Sequence, residues 1–214
     1  ASGAGKSVAL KHIVGLLKPD RGEVVVDGHV VTDLPQNELY ELRRSVGYVF
    51  QFAALFDSMT IADNIGMGLK RIPGMKAGQT AQRVEECLHL VDLDGSGERL
   101  PSELSGGQRK RVGFARAIAA EPKYLLYDEP TTGLDPVTSA VIDDLMMRMR
   151  RELGVTGVAI THDMNSAYKI SDRIAMLYEG RIRFQGTPDE IRASQDPVVK
   201  GFIEGRPDLW EVAL

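Results

Sequence analysis

The chain has 214 residues, 43% hydrophobic and 26% charged, with a net charge of −4 and a single cysteine. That length and composition suit one well-buried globular domain and exclude a disordered chain, while the acidic balance removes any global pull toward nucleic acid. Even the uncharged run through residues 46–54 falls far short of the roughly 20 apolar residues that cross a bilayer, and the lone Cys87 leaves no internal disulfide and fits a reducing compartment.

The opening Ala1-Ser2-Gly3-Ala4-Gly5-Lys6-Ser7 supplies everything after the first glycine of a phosphate loop, G-x-x-x-x-G-K-[ST]. Behind it Val8, Leu10, Ile13, Val14, Leu16 and Leu17 recur at helical spacing until Pro19, so the glycines sit at a helix N-terminus, where free backbone N–H groups favour an anion. In such a cradle Gly3 and Gly5 let the backbone close on phosphates, with Ser2, Ala4 and Val8 beside them. Lys6 reaches the outer phosphates, and the Ser7 hydroxyl suits Mg²⁺. A partial match of this kind is as often only a turn.

Two strand-like runs, residues 22–28 and 45–50, flank a helical turn at residues 40–44. From residue 62 to about 92 the pattern is helical, with a break near Pro73-Gly74, and reads as a helical insertion. Leu104-Ser105-Gly106-Gly107-Gln108 then opens a helix bearing Arg109, Lys110, Arg111, Val112, Phe114 and Ile118. It is a second glycine-rich helix start suited to an anion, or simply a capped turn. Tyr124-Leu125-Leu126-Tyr127-Asp128-Glu129 is an apolar strand whose first charges come at its C-terminal end, where open α/β sheets bind ligands. There Asp128 would bind Mg²⁺ and Glu129 would orient or deprotonate an attacking water. Residues 158–161 repeat the buried-strand pattern, which predicts an α/β fold with a mostly parallel sheet. Glu179-Gly180 is a two-residue hairpin turn, and Thr187-Pro188-Asp189-Glu190 is a capping box with proline at the first helical position.

Taken in order, these motifs resemble those of ABC transporter ATPases over nearly the whole chain. Residues 104–108 resemble the signature motif, Gln51 the Q-loop glutamine that contacts Mg²⁺ and water, Gly133-Leu134-Asp135 the D-loop, and His162 the switch histidine that bonds the γ-phosphate. The resemblance implies a P-loop NTPase with a helical (signature) subdomain at about residues 60–115 and a C-terminal hairpin plus helices, with an extension at about 187–214, all within one ATPase domain spanning 1–214. It implies ATP and Mg²⁺ as cofactors, with Ser7, Gln51 and Asp128 around the metal and Glu129, His162 and Gln51 in catalysis. A second copy of the chain would sandwich each nucleotide with Ser105, Gly106, Gly107 and Gln108. Transmembrane permease subunits would dock near residues 50–57, placing the chain peripherally on the cytoplasmic face of the inner membrane.

Measured against the family pattern, the sequence opens inside the phosphate loop. The family's preceding strand and adenine-stacking aromatic are therefore expected to be missing, and residues 1–214 alone are expected to bind ATP weakly. The stretch from Phe50 through Leu55-Phe56 to Asn64, and the tail at residues 196–205, are similar to the Mla/Mce-type phospholipid transport ATPase, which implies lipid transport between membranes. The same core would equally serve an amino-acid or other small-solute importer. A translation or DNA-repair factor of this class would normally carry two cassettes or a long coiled-coil insertion, and an ATP-sensing module would be expected to lack Glu129 or His162.

Overall fold

The computed structural model describes residues 5–206 and 208. They form two compact units, one of residues 7–160 and one of residues 161 onward together with Gly5 and Lys6.

In the larger unit, β3 (Val46–Val49), β4 (Tyr124–Asp128) and β5 (Thr156–Ile160) form a parallel sheet in the order β3-β4-β5. The register sets Val46 against Tyr124, Val49 against Tyr127 and Leu126 against Val158. Parallel strands need long crossovers. Here they carry α3 (Ile61–Gly66), α4 (Ala77–Leu90) and α5 (Gly106–Ile118) between β3 and β4, and α6 (Pro136–Leu153) between β4 and β5. The expected helical insertion is thus two helices with a wide break. Gly66, Gly68, Pro73 and Gly74 interrupt the periodicity, and between α3 and α4 the chain holds only a short 3-10 turn at Leu69–Arg71.

Before the sheet, α1 (Lys6–Ile13) follows the phosphate-loop residues, and β1 (Val25–Val26) pairs antiparallel with β2 (His29–Val30). The expected strand at 22–28 shrinks to two residues because Asp27 and Gly28 form the turn, both with left-handed φ (50° and 81°), as a tight hairpin requires. The predicted helical turn at 40–44 is a full helix, α2 (Gln36–Arg44), starting directly after Pro35.

Leu10 and Val14 pack with Val46, Leu126 and Ile160 to join α1 to the sheet. On α5, Phe114 is fully buried with its ring centroid 5.5 Å from that of Tyr127. Cys87 is buried too, and burial pushes its thiol up to about 11, so it serves as a small hydrophobe.

The second unit contains α7 (Met164–Ile170), the antiparallel pair β6 (Ile174–Tyr178) and β7 (Arg181–Gly186), α8 (Pro188–Arg192) and α9 (Pro197–Glu204). The hairpin turns at Glu179-Gly180 as its sequence predicts, and the Thr187/Glu190 capping box forms in both directions. Met176, Ile191, Val198 and Val199 make its core.

Candidate functional site

β4 ends on Asp128, with Glu129 immediately beyond it. Neighbouring side chains divide between these two carboxylates. The Ser7 hydroxyl, in the first turn of α1, donates to Asp128 Oδ1 at 2.7 Å, and the Tyr48 hydroxyl from β3 donates to Oδ2 at 3.1 Å. Burial, reinforced by the Asp128 charge, raises the Tyr48 phenol well above its ordinary range, so it remains a donor. The first turn of α1 and the end of β4 therefore meet at Ser7 and Asp128.

Glu129 lies in the left-handed region at φ 48°, a conformation that costs a non-glycine residue about 1–3 kcal/mol. Its N–H donates to the Ile160 carbonyl at 2.9 Å, which extends the β4–β5 ladder by one bond and holds the residue there. The turn re-aims the side chain. Glu129 Oε2 accepts from the Thr132 hydroxyl at 2.9 Å and from Gln51 Nε2 at 3.4 Å. Gln51 and Glu129, 78 positions apart in the chain, are thus brought together.

The second glycine-rich start is built differently. Ser105 Oγ accepts from the Gln108 N–H at 3.2 Å, while Gln108 Oε1 accepts from the Ser105 N–H at 2.9 Å, a reciprocal capping box at the head of α5. Ser105 and Gly106 are exposed, and Gly107 and Gln108 half-exposed. A Cβ on Gly107 would come within 2.7 Å of the Thr138 methyl, so glycine is required there by packing against α6. Asp135 caps α6, accepting from the N–H groups of Val137 and Thr138, both at 3.0 Å, and from the Thr138 hydroxyl at 2.5 Å. The Thr138 hydroxyl and those amides hold its carboxyl below the usual range.

Of the other predicted residues, Gly5 has the left-handed φ of 88° that its turn demands, and Lys6 and Val8 open α1. His162 is exposed in the second unit, two residues past β5 in the chain. Ser2, Gly3 and Ala4 lie outside the described residues.

Among the described residues, no group of three or more His, Cys, Asp or Glu side chains could hold a metal. Ser7 and Asp128 instead offer one hydroxyl and one carboxylate, hard oxygens suited to a Mg²⁺ that takes its remaining ligands from phosphate and water.

Several supporting residues escaped the sequence reading. Tyr48 and Thr132 are further donors to the two acids, beside Ser7 and Gln51. Arg116, on α5, donates to the carbonyls of Ala54 at 2.6 Å and Ala53 at 2.5 Å. It thereby holds two consecutive alanines at φ 60° and 47° just after Gln51. Asn64 is fully buried; it accepts from the Phe56 N–H at 2.8 Å and shares its amide hydrogens among the carbonyls of Phe56, Met59 and Thr60, fixing the turn after Gln51. The only sequence signal for these four is a polar or aromatic type next to a motif.

A family model described as "ABC transporter" matches residues 1–132. The probable ribonucleotide transport ATP-binding protein mkl of Mycobacterium leprae is 40% identical over 205 residues, covering 96% of this chain and 59% of its own length. The methionine import ATP-binding protein MetN of Carboxydothermus hydrogenoformans is 45% identical over 203 residues, covering 94% of this chain and 60% of its own length. The chain therefore spans about three-fifths of these curated relatives. A solved ATP-binding cassette, in a dimeric post-hydrolysis state bound to ADP and Pi, superposes with a TM-score of 0.79 at 36% identity, over 88% of this chain and 82% of its own. The fold is the P-loop ABC cassette fold, and with the family model matched over more than half of its residues, the chain belongs to the ABC transporter family.

Proposed function

We propose that this chain is the ATP-hydrolysing part of an ABC transporter. The observation that carries the reading is the pairing of Ser7 with Asp128 beside the pairing of Gln51 and Thr132 with Glu129. Ser7 and Asp128 would hold Mg²⁺, which when bound neutralises charge across the phosphates. Lys6 reaches the outer phosphates, backbone N–H groups around Gly3 and Gly5 cradle them, and His162 bonds the γ-phosphate. Glu129 orients the attacking water and accepts its proton, while Gln51 and Thr132 hold the carboxylate in place for in-line attack. A second copy presents Ser105, Gly107 and Gln108 to the same nucleotide, which their exposure permits. Closure around ATP and reopening after hydrolysis would move permease subunits docked near residues 50–57. There Phe50, Phe52, Phe56 and Met59 are exposed, Phe52 at 81%. The permease fixes the protein peripherally at the cytoplasmic face of the inner membrane, and none of the described helices is long and apolar enough to cross it.

For cargo, the form of residues 50–64 supports phospholipid transport of the Mla/Mce type. The tail supports it less, because Val198 and Val199 of α9 are buried in their own unit with Phe202 and Ile203 packed beside them. The second reading, import of a small solute, rests on the 45% identity to a methionine importer ATPase. One preparation tests both levels. In the intact transporter, Glu129→Gln should lower ATP hydrolysis by at least about 100-fold while preserving ATP binding. Mass spectrometry of the same complex should find co-purified phospholipid, with hydrolysis stimulated by phospholipid and not by amino acids. Hydrolysis at the normal rate in Glu129→Gln would remove the catalytic reading, and stimulation by an amino acid with no bound lipid would replace the cargo.

A further inference from the structure

Lys110 is 7% exposed, an unusual position for a lysine. It stands in the second turn of α5, and its ammonium points away from solvent toward the loop at residues 130–132. Nζ donates to the Pro130 carbonyl at 2.7 Å and to the Thr132 carbonyl at 2.9 Å. That loop follows Glu129 directly and folds back on it. The Thr132 N–H donates to the Glu129 carbonyl at 3.2 Å, and the Thr132 hydroxyl donates to Glu129 Oε2 at 2.9 Å. Lys110 is therefore linked to the Glu129 carboxylate through this loop.

A structural lysine would be an expensive way to satisfy two carbonyls. Burial pulls its ammonium down to about 8, and the Glu129 carboxylate opposes that shift. Even as a neutral amine it keeps two N–H donors, enough for both carbonyls, so the geometry survives loss of the charge. What the lysine adds is a rigid tether between two functional segments. Four residues before it, α5 begins at Gly106, where the exposed glycine-rich start faces outward for the nucleotide of a second copy; one loop beyond its Nζ sits the carboxylate of the chain's own site.

We propose that Lys110 is a positioning residue for Glu129, fixing the loop at residues 130–132 so that Thr132 presents its hydroxyl to the carboxylate, and so tying the signature helix of one site to the base of the other. This rests on Glu129 being the group that activates water. Removing the tether frees Thr132 and loosens the hydroxyl that aims the Glu129 carboxylate, and the cost falls on the chemical step rather than on ATP binding.

The test is steady-state and binding kinetics on the intact ATPase with its membrane subunits, for Lys110→Met, Lys110→Gln and Thr132→Val. Lys110→Met should lower kcat by about 10-fold or more while KM and the ATP dissociation constant stay within about twofold, the pattern of an interaction made only in the transition state. Lys110→Gln, which retains N–H donors, should recover part of that loss. Thr132→Val should lower kcat similarly, and combining it with Lys110→Met should add little, because both sever one link. A merely structural lysine would instead show lower stability and weaker ATP binding with kcat per folded molecule unchanged. Should Lys110→Met fail to fold, Thr132→Val carries the same test. Wild-type kcat in Thr132→Val or in folded Lys110→Met, or equal losses in kcat and ATP affinity, would overturn the proposal. If Glu129→Gln in the same preparation still hydrolyses ATP, the underlying assignment has failed; if Glu129→Gln is inactive and the Lys110 variants are normal, only the tether has.

Discussion

Glu129 and Lys110 illustrate two kinds of cost that a folded chain bears at a working site. Glu129 occupies a backbone region that is unfavourable for a side-chain-bearing residue, and Lys110 carries a charge into a buried position. The second cost is measurable through pH. Burial holds the Lys110 pKa at about 8, below its ordinary 10.5. Below pH 8 both the folded and the unfolded chain carry the proton, and the desolvated charge destabilises the fold by a constant amount. Between 8 and 10.5 the folded state releases that proton first, so the unfolded state binds more protons and stability rises with pH. Denaturant unfolding of wild type and Lys110→Met across that window should show wild type gaining on the variant as pH rises; a constant difference would mean that the lysine is not titrating as buried. At this scale the motif residues themselves were legible. Ser7 bonds Asp128 and Gln51 bonds Glu129, and each of the four stands at a local signal: a glycine-rich turn, or the end of an apolar strand. Tyr48, Thr132, Lys110 and Arg116 were not legible as site residues. Tyr48, Lys110 and Arg116 act through bonds to partners 20 to 80 positions away, which no periodicity or spacing encodes, and Thr132 acts through a turn that brings its hydroxyl back three positions onto Glu129.

The elements follow their residues where propensity and burial agree. β4 is a short apolar run and becomes a buried parallel strand, the Glu179-Gly180 hairpin forms, and Cys87 takes its place on the inner side of α4. β5 pairs parallel with β4 as expected, but it is exposed from Thr156 to Val158 and buried only at Ile160, so the expected buried strand is buried at one end alone. They depart where turn residues override periodicity, as at Asp27-Gly28 after the two-residue β1 and at Pro73-Gly74 in the interrupted helical insertion. Gly47, in β3, reveals how closely the site's supports are packed. A Cβ there would lie 2.4 Å from the Ala117 carbonyl oxygen and 2.5 Å from Leu125 Cδ2, so α5 rests directly on the strand that carries Tyr48. Gly47→Ala must push backbone apart, and should destabilise the protein by about 1–3 kcal/mol in chemical denaturation. A change within about 0.5 kcal/mol would show that α5 yields freely, contrary to the close packing.

For the molecule as a whole, the proposed nucleotide site draws on two places among the described residues. Ser7, Asp128, Gln51, Thr132 and Glu129 gather at the end of β4, while Ser105 and Gly106 are exposed at the head of α5. Both places include a glycine-rich helix start, and what separates them is the helix-and-loop path that Lys110 bridges. If a competent site is assembled from two copies, two defective chains can repair one another. Mixing Glu129→Gln protein with Ser105→Arg protein, each inactive alone, creates pairs in which an intact Glu129 faces an intact Ser105. Single-turnover hydrolysis of radiolabelled ATP in that mixture measures this directly. Release of labelled phosphate by the mixture, where neither variant alone releases any, is the expected result. A mixture as inactive as its parts, with nucleotide bound and pairs formed, would contradict a site shared between chains.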